Sequence, residues 1–193
     1  ADEGTDTVET ADDDFVLGAN IENLVVTAQD VHIAQGNALN NEITGGSGFG
    51  YLAGEGGDDT LNAGDGGAVL FGGDGSDLLL GGAGDDDLQG DTMNSGPSTS
   101  PGNDTLDGGA GNDTLVGQGG KDMLFGGDND DTLWGDSTEE NFPVDEHDDD
   151  TLDGGSGNDQ IIGGGKDDLA QGGGTDPSKL DDALAAIRRS LAE

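Results

Sequence analysis

Through the middle of this chain short apolar clusters alternate with glycine- and aspartate-rich stretches, and a large apolar residue recurs at steps of nine. From Gly108 to Val116 the order is G-G-x-G-x-D-x-U-x, with U a large apolar residue, and residues 72–80, 81–89 and 154–162 match it at every fixed position. Glu55 replaces the second glycine in 54–62, Gln118 replaces it in 117–125, and Asn129 replaces the third glycine in 126–134. A short fixed period marks a stacked architecture in which one unit cannot bury its apolar face alone. The x-U-x tail is a strand too short to stand by itself, with one side chain turned inward by two-residue alternation. One turn and one strand make half a coil, so the inward leucines should form two ladders. Leu52, Leu70, Leu88, Leu106 and Leu124, at steps of eighteen, form one; Leu61, Leu79, Leu115, Leu133 and, one residue out of step, Leu152 form the other. A flexible Gly-rich linker does not predict such spacing.

The flanks carry different patterns. Residues 1–14 are acidic and patternless and are expected to be loosely held. Apolar runs at 15–17, 21–26 and 31–33 read as strands. Residues 36–44 have the repeat length, with Asn41 at the aspartate position and Ile43 inward. Asn can bond to backbone without holding a metal, so 15–44 reads as a metal-free β-coil that caps the first turn and covers its open edge. Repeats run from 45 to 171 with interruptions near 90–101 and 135–149, each opening on Gly-Asp and each followed by D-T-L-D-G-G. If the first were an ordinary repeat, Pro97 would fall at the inward strand position, where it cannot donate a ladder hydrogen bond. Both therefore read as loops leaving the stack, a choice that changes which edge Asp104 lies on and leaves the pairing of the aspartates open. The last repeat, 163–171, decays, with Lys166 for a glycine and Ala170 for the apolar residue. After the glycines at 172–174 the period becomes helical: Asp176 can cap, Pro177 suits the first turn, and Leu180, Leu184, Ile187 and Leu191 share a face, with Arg188 and Arg189 near the C-terminal end. A short amphipathic C-terminal α-helix is predicted, covering the open end of the stack or belonging to a following segment.

The candidate chemistry lies in the turns. Glycines there allow positive φ and close backbone approach, and the aspartate brings a hard charged oxygen to a place where carbonyls converge. Over residues 36–171 this nonapeptide resembles the RTX calcium-binding repeats of secreted bacterial proteins. The resemblance implies an all-β, right-handed parallel β-roll with several calcium ions held between turns two repeats apart. Carried onto this sequence, the metal positions are Asp59, Asp77, Asp86, Asp104, Asp113, Asp122, Asp131, Asp150, Asp159 and Asp168. The turn glycines that accompany them are Gly72, Gly73, Gly75, Gly81, Gly82, Gly84, Gly108, Gly109, Gly111, Gly117, Gly119, Gly126, Gly127, Gly154, Gly155 and Gly157. Asp91 and Asp136, which open the interruptions, are further candidates. Gly50 and Ala68 stand where an aspartate should, so sites that depend on them should be missing or weak. The acidic second interruption (Glu139, Glu140, Asp145, Glu146, His147, Asp148, Asp149) reads either as a lateral calcium site or as a solvated loop.

Charge sharpens this picture. Net charge is −38 over 193 residues, with 40 glycines, a balance of self-repulsion and low hydrophobicity that characterises disorder unless cations intervene. Calcium accepts six to eight oxygen ligands in flexible geometry, whereas magnesium demands a near-ideal octahedron, so metal binding is expected to drive folding. The acidity argues against nucleic acid and anionic membrane surfaces as partners. Cysteine is absent, which excludes disulfides and thiolate chemistry. No apolar run is long enough for a membrane span, and the start lacks a signal-peptide pattern. There is no EF-hand loop, H-E-x-x-H, nucleophile elbow or phosphate-cradling loop. No catalytic residue and no organic cofactor site is therefore assigned, and His32 and His147 need no role. Bulky residues at position nine (Phe71, Leu80, Val116, Phe125, Trp134, Ile162) could form an outer patch for self-association or pack at strand ends.

The resulting expectation is a non-enzymatic calcium-binding module of a secreted bacterial protein that folds outside the cell, with the type I secretion machinery as its implied partner. Two alternatives are the non-catalytic tail of a secreted protease, lipase or polysaccharide-modifying enzyme, and a calcium-rigidified adhesin segment.

Overall fold

The computed structural model describes residues 4–12, 14–27, 32–48, 50–91, 101–136, 148–163 and 169–172. These residues form an all-β parallel solenoid flattened into two sheets. One sheet contains β1 (Thr7–Thr10), β3 (Asn23–Val26), β5 (Glu42–Thr44), β7 (Thr60–Asn62), β9 (Leu78–Ala83), β11 (Thr105–Ala110), β13 (Met123–Asp128), β15 (Thr151–Ser156) and β17 (Leu169–Gln171). The other contains β2 (Asp14–Val16), β4 (His32–Asn37), β6 (Gly50–Gly56), β8 (Ala68–Asp74), β10 (Asp87–Gln89), β12 (Thr114–Gln118), β14 (Thr132–Asp136) and β16 (Gln160–Ile162). We call them the odd and even sheets. The chain alternates between them, so each strand pairs in parallel with the strand two elements away.

The core is one residue wide. Along the odd sheet Leu24, Ile43, Leu61, Leu79, Leu106, Leu124 and Leu152 stack in register. Ala34, Leu52, Leu70, Leu88, Leu115 and Leu133 do so along the even sheet. All are at most 1 % exposed. Burying one such leucine is worth roughly 1.5–3 kcal/mol, yet no strand supplies more than one or two, so each coil depends on its neighbours.

The expected ladders hold as far as Leu79 and Leu88 and then exchange. Leu106 pairs with Leu79, and Leu115 with Leu88. Among the described residues β11 follows β10 directly, so the eighteen residues from Leu88 to Leu106 span only half a coil. Asp104 therefore falls on the edge of Asp77. A second difference is at the start: Thr7–Thr10 forms β1, in parallel register with β3. In that short stretch Val8 alternates with polar neighbours and packs against the core, so part of the stretch expected to be loose is the first strand. Residues 92–100 and 137–147, which make up most of the two expected loops, Asp168 and the predicted C-terminal helix lie outside the described residues.

The turn glycines divide their work. In repeats that carry the motif aspartate the second and third glycines adopt positive φ, as at Gly82 (100°) and Gly84 (106°), while the first does not. The three departures keep the backbone: Glu55, Gln118 and Asn129 sit at φ 82°, 81° and 85°. In repeat 117–125 the left-handed third glycine is Gly120 (φ 112°). Gly119, assigned from sequence, occupies the variable position before it. Position-nine side chains lie on the outward faces, Phe71, Val116, Trp134 and Ile162 on the even sheet and Leu80 and Phe125 on the odd one.

Candidate metal centre along two edges

Each motif aspartate immediately precedes a strand, so the two kinds of turn place two columns of carboxylates along opposite edges. The first edge carries Asp59, Asp77, Asp104, Asp122 and Asp150, before odd-sheet strands; the second carries Asp86, Asp113, Asp131 and Asp159, before even-sheet strands. One oxygen of each carboxylate has a structural task. Asp77 Oδ1 accepts from Asp59 N (2.8 Å), Asp104 Oδ1 from Asp77 N (2.9 Å) and Asp122 Oδ1 from Asp104 N (2.8 Å). On the second edge Asp86 Oδ1 accepts from Ala68 N (2.7 Å), Asp113 Oδ1 from Asp86 N (2.8 Å) and Asp131 Oδ1 from Asp113 N (2.9 Å). Every coil is thereby clamped to the next by a side chain as well as by strand pairing.

The other oxygen is buried without a protein partner at Asp59, Asp77, Asp86, Asp104, Asp113, Asp122 and Asp131. Orphaned carboxylate oxygens at 1–3 % residue exposure are too costly to leave uncompensated. They converge with carbonyls at the first glycine of each repeat. A β-carbon on Gly81 would lie 2.6 Å from Asp86 Oδ2 and 2.6 Å from the Gly108 carbonyl oxygen. On Gly126 it would lie 2.5 Å from Asp131 Oδ2 and 2.8 Å from the Gly154 oxygen. Gly54, Gly72, Gly90, Gly108 and Gly117 repeat the arrangement. The first glycine thus leaves room for oxygens of two coils to face one point. Among the described residues no three His, Cys, Asp or Glu side chains converge, so the donor set is carboxylate plus backbone carbonyl. Hard oxygens in that mixture fit calcium.

Protonation responds to the same burial. Desolvation raises Asp122 to about 9, Asp59 and Asp104 to about 8, Asp77 and Asp86 to about 7, and Asp113 and Asp131 to about 6, against the hydrogen bond that each accepts from backbone. Neighbouring carboxylates add to the rise, Asp104 and Asp150 acting on Asp122.

Asn41 shows how a coil closes without such an oxygen. It occupies the aspartate position and its Oδ1 accepts from Asn37 N (2.8 Å). Its Nδ2, where an aspartate would carry its second oxygen, donates to the carbonyls of Ile21 and Glu22 (3.2 Å each). The amide supplies the positive end that those carbonyls need, and Asp59 Oδ1 in turn accepts from Asn41 N.

Sequence reasoning passed over position five, written there as x. Asn40, Asp58, Ser76 and Asn103 accept from the backbone N–H of Asp58, Ser76, Asn103 and Lys121. Asp85, Asn112 and Asp130 accept from those of Asn112, Asp130 and Asn158 on the other edge. A second, exposed ladder therefore runs beside the buried one. Its signal was legible as the excess of Asn, Asp and Ser at that position, and the first-edge run stops where Lys121 brings no acceptor. Asp91 (0 % exposed) and Asp136 (2 %) lie on the first edge, accompanied by buried Gln89 and Gln118. Gly50 and Ala68 contribute no carboxylate to the second edge, whose column begins at Asp86.

Asp113→Ala should shift the calcium dependence of folding to several-fold higher concentration, because it removes the orphaned oxygen and strands the buried Asp86 N–H, worth about 1–3 kcal/mol. Asp113→Asn, which removes the charge but keeps an oxygen that can accept from Asp86 N, should lose calcium affinity at that turn but keep the clamp. Exposed Asp12→Ala should stay within about 0.5 kcal/mol. Calcium titrations of the three followed by circular dichroism test the ordering, and equal shifts would mean that bulk charge rather than site geometry is in control.

Four stretches, residues 35–70, 63–92, 98–137 and 148–176, match the family model of the RTX calcium-binding nonapeptide repeat. No curated protein and no solved structure matches the chain.

Proposed function

This chain belongs to the RTX calcium-binding nonapeptide repeat family, and from that premise we propose that it is a module of a secreted bacterial protein that stays unfolded in the cell and folds when calcium fills its turns outside. An RTX solenoid is a structural calcium-binding domain rather than a catalytic fold. The observation that carries the reading is the repeated meeting of an orphaned, buried aspartate oxygen with a carbonyl of a neighbouring coil at a first glycine. Asp59, Asp77, Asp86, Asp104, Asp113, Asp122, Asp131, Asp150 and Asp159 would hold the ions together with turn carbonyls. Bound calcium supplies the positive charge that both coils' oxygens require. The chain's own residues supply the rest: Oδ1 clamps the next coil, the first glycine leaves the space, and the later two turn the backbone.

Vectorial export suits such a chain. A net charge of −38 keeps it extended where calcium is scarce, and extracellular modules bind near ~10⁻⁴–10⁻³ M. Passage through type I secretion, with a C-terminal segment as cap or signal, belongs to this reading, as does service as the tail of a secreted enzyme. The test is a calcium titration followed by far-UV circular dichroism and hydrodynamic radius, with magnesium at matched ionic strength. Cooperative compaction with a midpoint in that range, and none with magnesium, is expected. A chain already compact in chelator, or equally responsive to magnesium, would overturn the proposal.

A further inference from the structure

The two edges differ at the second position of the repeat. On the second edge this position is glycine throughout the central coils, at Gly64, Gly82, Gly109, Gly127 and Gly155, all with positive φ. On the first edge it reads Glu55, Gly73, Asp91, Gln118 and Asp136 in successive coils. Glu55 pairs with Gly73 and Gln118 with Asp136 in strand register. Gln118 Nε2 donates to the Asp91 carbonyl (3.0 Å), and Gly119 N donates to Asp91 Oδ2 (3.1 Å).

Both acids are buried, and the turns that they occupy are those at which ladder oxygens point. Asp104 Oδ2, unpartnered on a residue 1 % exposed, faces Gly90, the residue before Asp91. Asp122 Oδ2, in the same condition, faces Gly117 at a point 2.6 Å from the carbonyl oxygen of Gly135, the residue before Asp136. No acid occupies position two on the second edge. Glu55 is the internal contrast, since its side chain is exposed and accepts from Gln35 Nε2 at 2.5 Å.

We propose that the edges are unequal: Asp91 and Asp136 add buried carboxylates to the turns of Asp104, Asp122 and Asp150, so the first edge holds calcium more tightly than the second and fills first. The proposal rests on the reading that these turns bind calcium. Affinity for calcium rises with the number of ligand charges, and the two loop-opening Gly-Asp pairs are where this chain adds them.

Calorimetric calcium titration of the full chain tests this. The wild type should show a tight and a weaker class of sites. Asp91→Asn with Asp136→Asn should weaken the tight class about 10–100-fold and leave the other. Glu55→Gln, a loss of charge at the same repeat position but on an exposed side chain, should change neither. If the double variant lacks the strand signal at saturating calcium, Asp136→Asn alone should weaken the tight class about tenfold. A tight class unmoved by these variants, or moved equally by Glu55→Gln, overturns the proposal. Calcium uptake in a single class overturns it while sparing the underlying reading; no uptake at all overturns both.

Discussion

Stripping calcium from this protein at neutral pH should abolish its strand signal and expand the chain, and acidifying the stripped chain should restore part of both. In the metal-free fold seven aspartates titrate well above their unfolded value of 3.8, between about 6 for Asp113 and about 9 for Asp122. Each such group binds its proton more tightly folded than unfolded, so its contribution to the metal-free fold is complete below about pH 4. That contribution is lost progressively as pH rises from about 4, and the loss is complete once pH passes the folded values of about 6 to 9. At neutral pH the roll without metal must therefore keep buried oxygens charged and unpaired, or hold protons that the unfolded chain releases. The leucine ladders, one residue wide, are too thin to offset this in a chain of −38. Neutralising the carboxylates removes both the local penalty and the self-repulsion. Far-UV circular dichroism and hydrodynamic radius of dialysed, metal-free protein from pH 8 to pH 4 measure the effect. A stripped chain that loses strand signal as pH falls would mean that these oxygens are solvated and that burial is not what makes metal necessary.

Gly108→Ala should be nearly as damaging as loss of the aspartate, although Gly108 is not a left-handed position and alanine suits its backbone. Its β-carbon would lie 2.7 Å from the Gly126 carbonyl oxygen and 2.9 Å from Asp113 Cβ, and would meet Asp113 Oδ2. The methyl would take the point at which the oxygens of two coils converge. Relief requires separating coils whose spacing is set by strand hydrogen bonds and by the Asp113 clamp, a strain of about 1–3 kcal/mol, beyond the loss of the ion. The calcium midpoint of folding should rise about tenfold, and the clamp from Asp131 should transmit part of the loss to the next coil. Gly56→Ala, at the variable position of a turn on the other edge, is the control: nothing lies nearer its added carbon than 3.8 Å, so it should stay within about 0.5 kcal/mol. Equal shifts from the two would locate the glycine requirement in backbone entropy and not in the space for a ligand.

Much of the site was legible because a nonapeptide states its own geometry. Asp113 and Asp131 could be named as neighbours in a column from their spacing of eighteen, since position six always precedes a strand, whereas Asp86, which joins them across 27 residues, could not. The first glycine's purpose was not legible beside the other two, because close approach and positive φ both select glycine in sequence. Only the fold separates Gly108, which makes room, from Gly109 and Gly111, which turn the chain. Asn41 was legible as a departure, while its amide bonds to Ile21 and Glu22 were not, since those partners lie a full coil away.

By itself the sequence determined the half-coil, the inward leucines, the hard-oxygen chemistry and the dependence of each repeat on its neighbours, because period nine and two-residue alternation act within a few residues. Tertiary structure decided which coils touch. An insertion of one repeat length leaves the periodicity of Leu88 and Leu106 intact while moving Leu106 to the opposite sheet, so register beyond residue 90 is invisible to spacing. With that exchange came Asp104 beside Asp77, the clamps across 18 and 27 residues, and the gathering of Asp91, Gln118 and Asp136 on a single edge. These are distances between coils, and only strand pairing sets them.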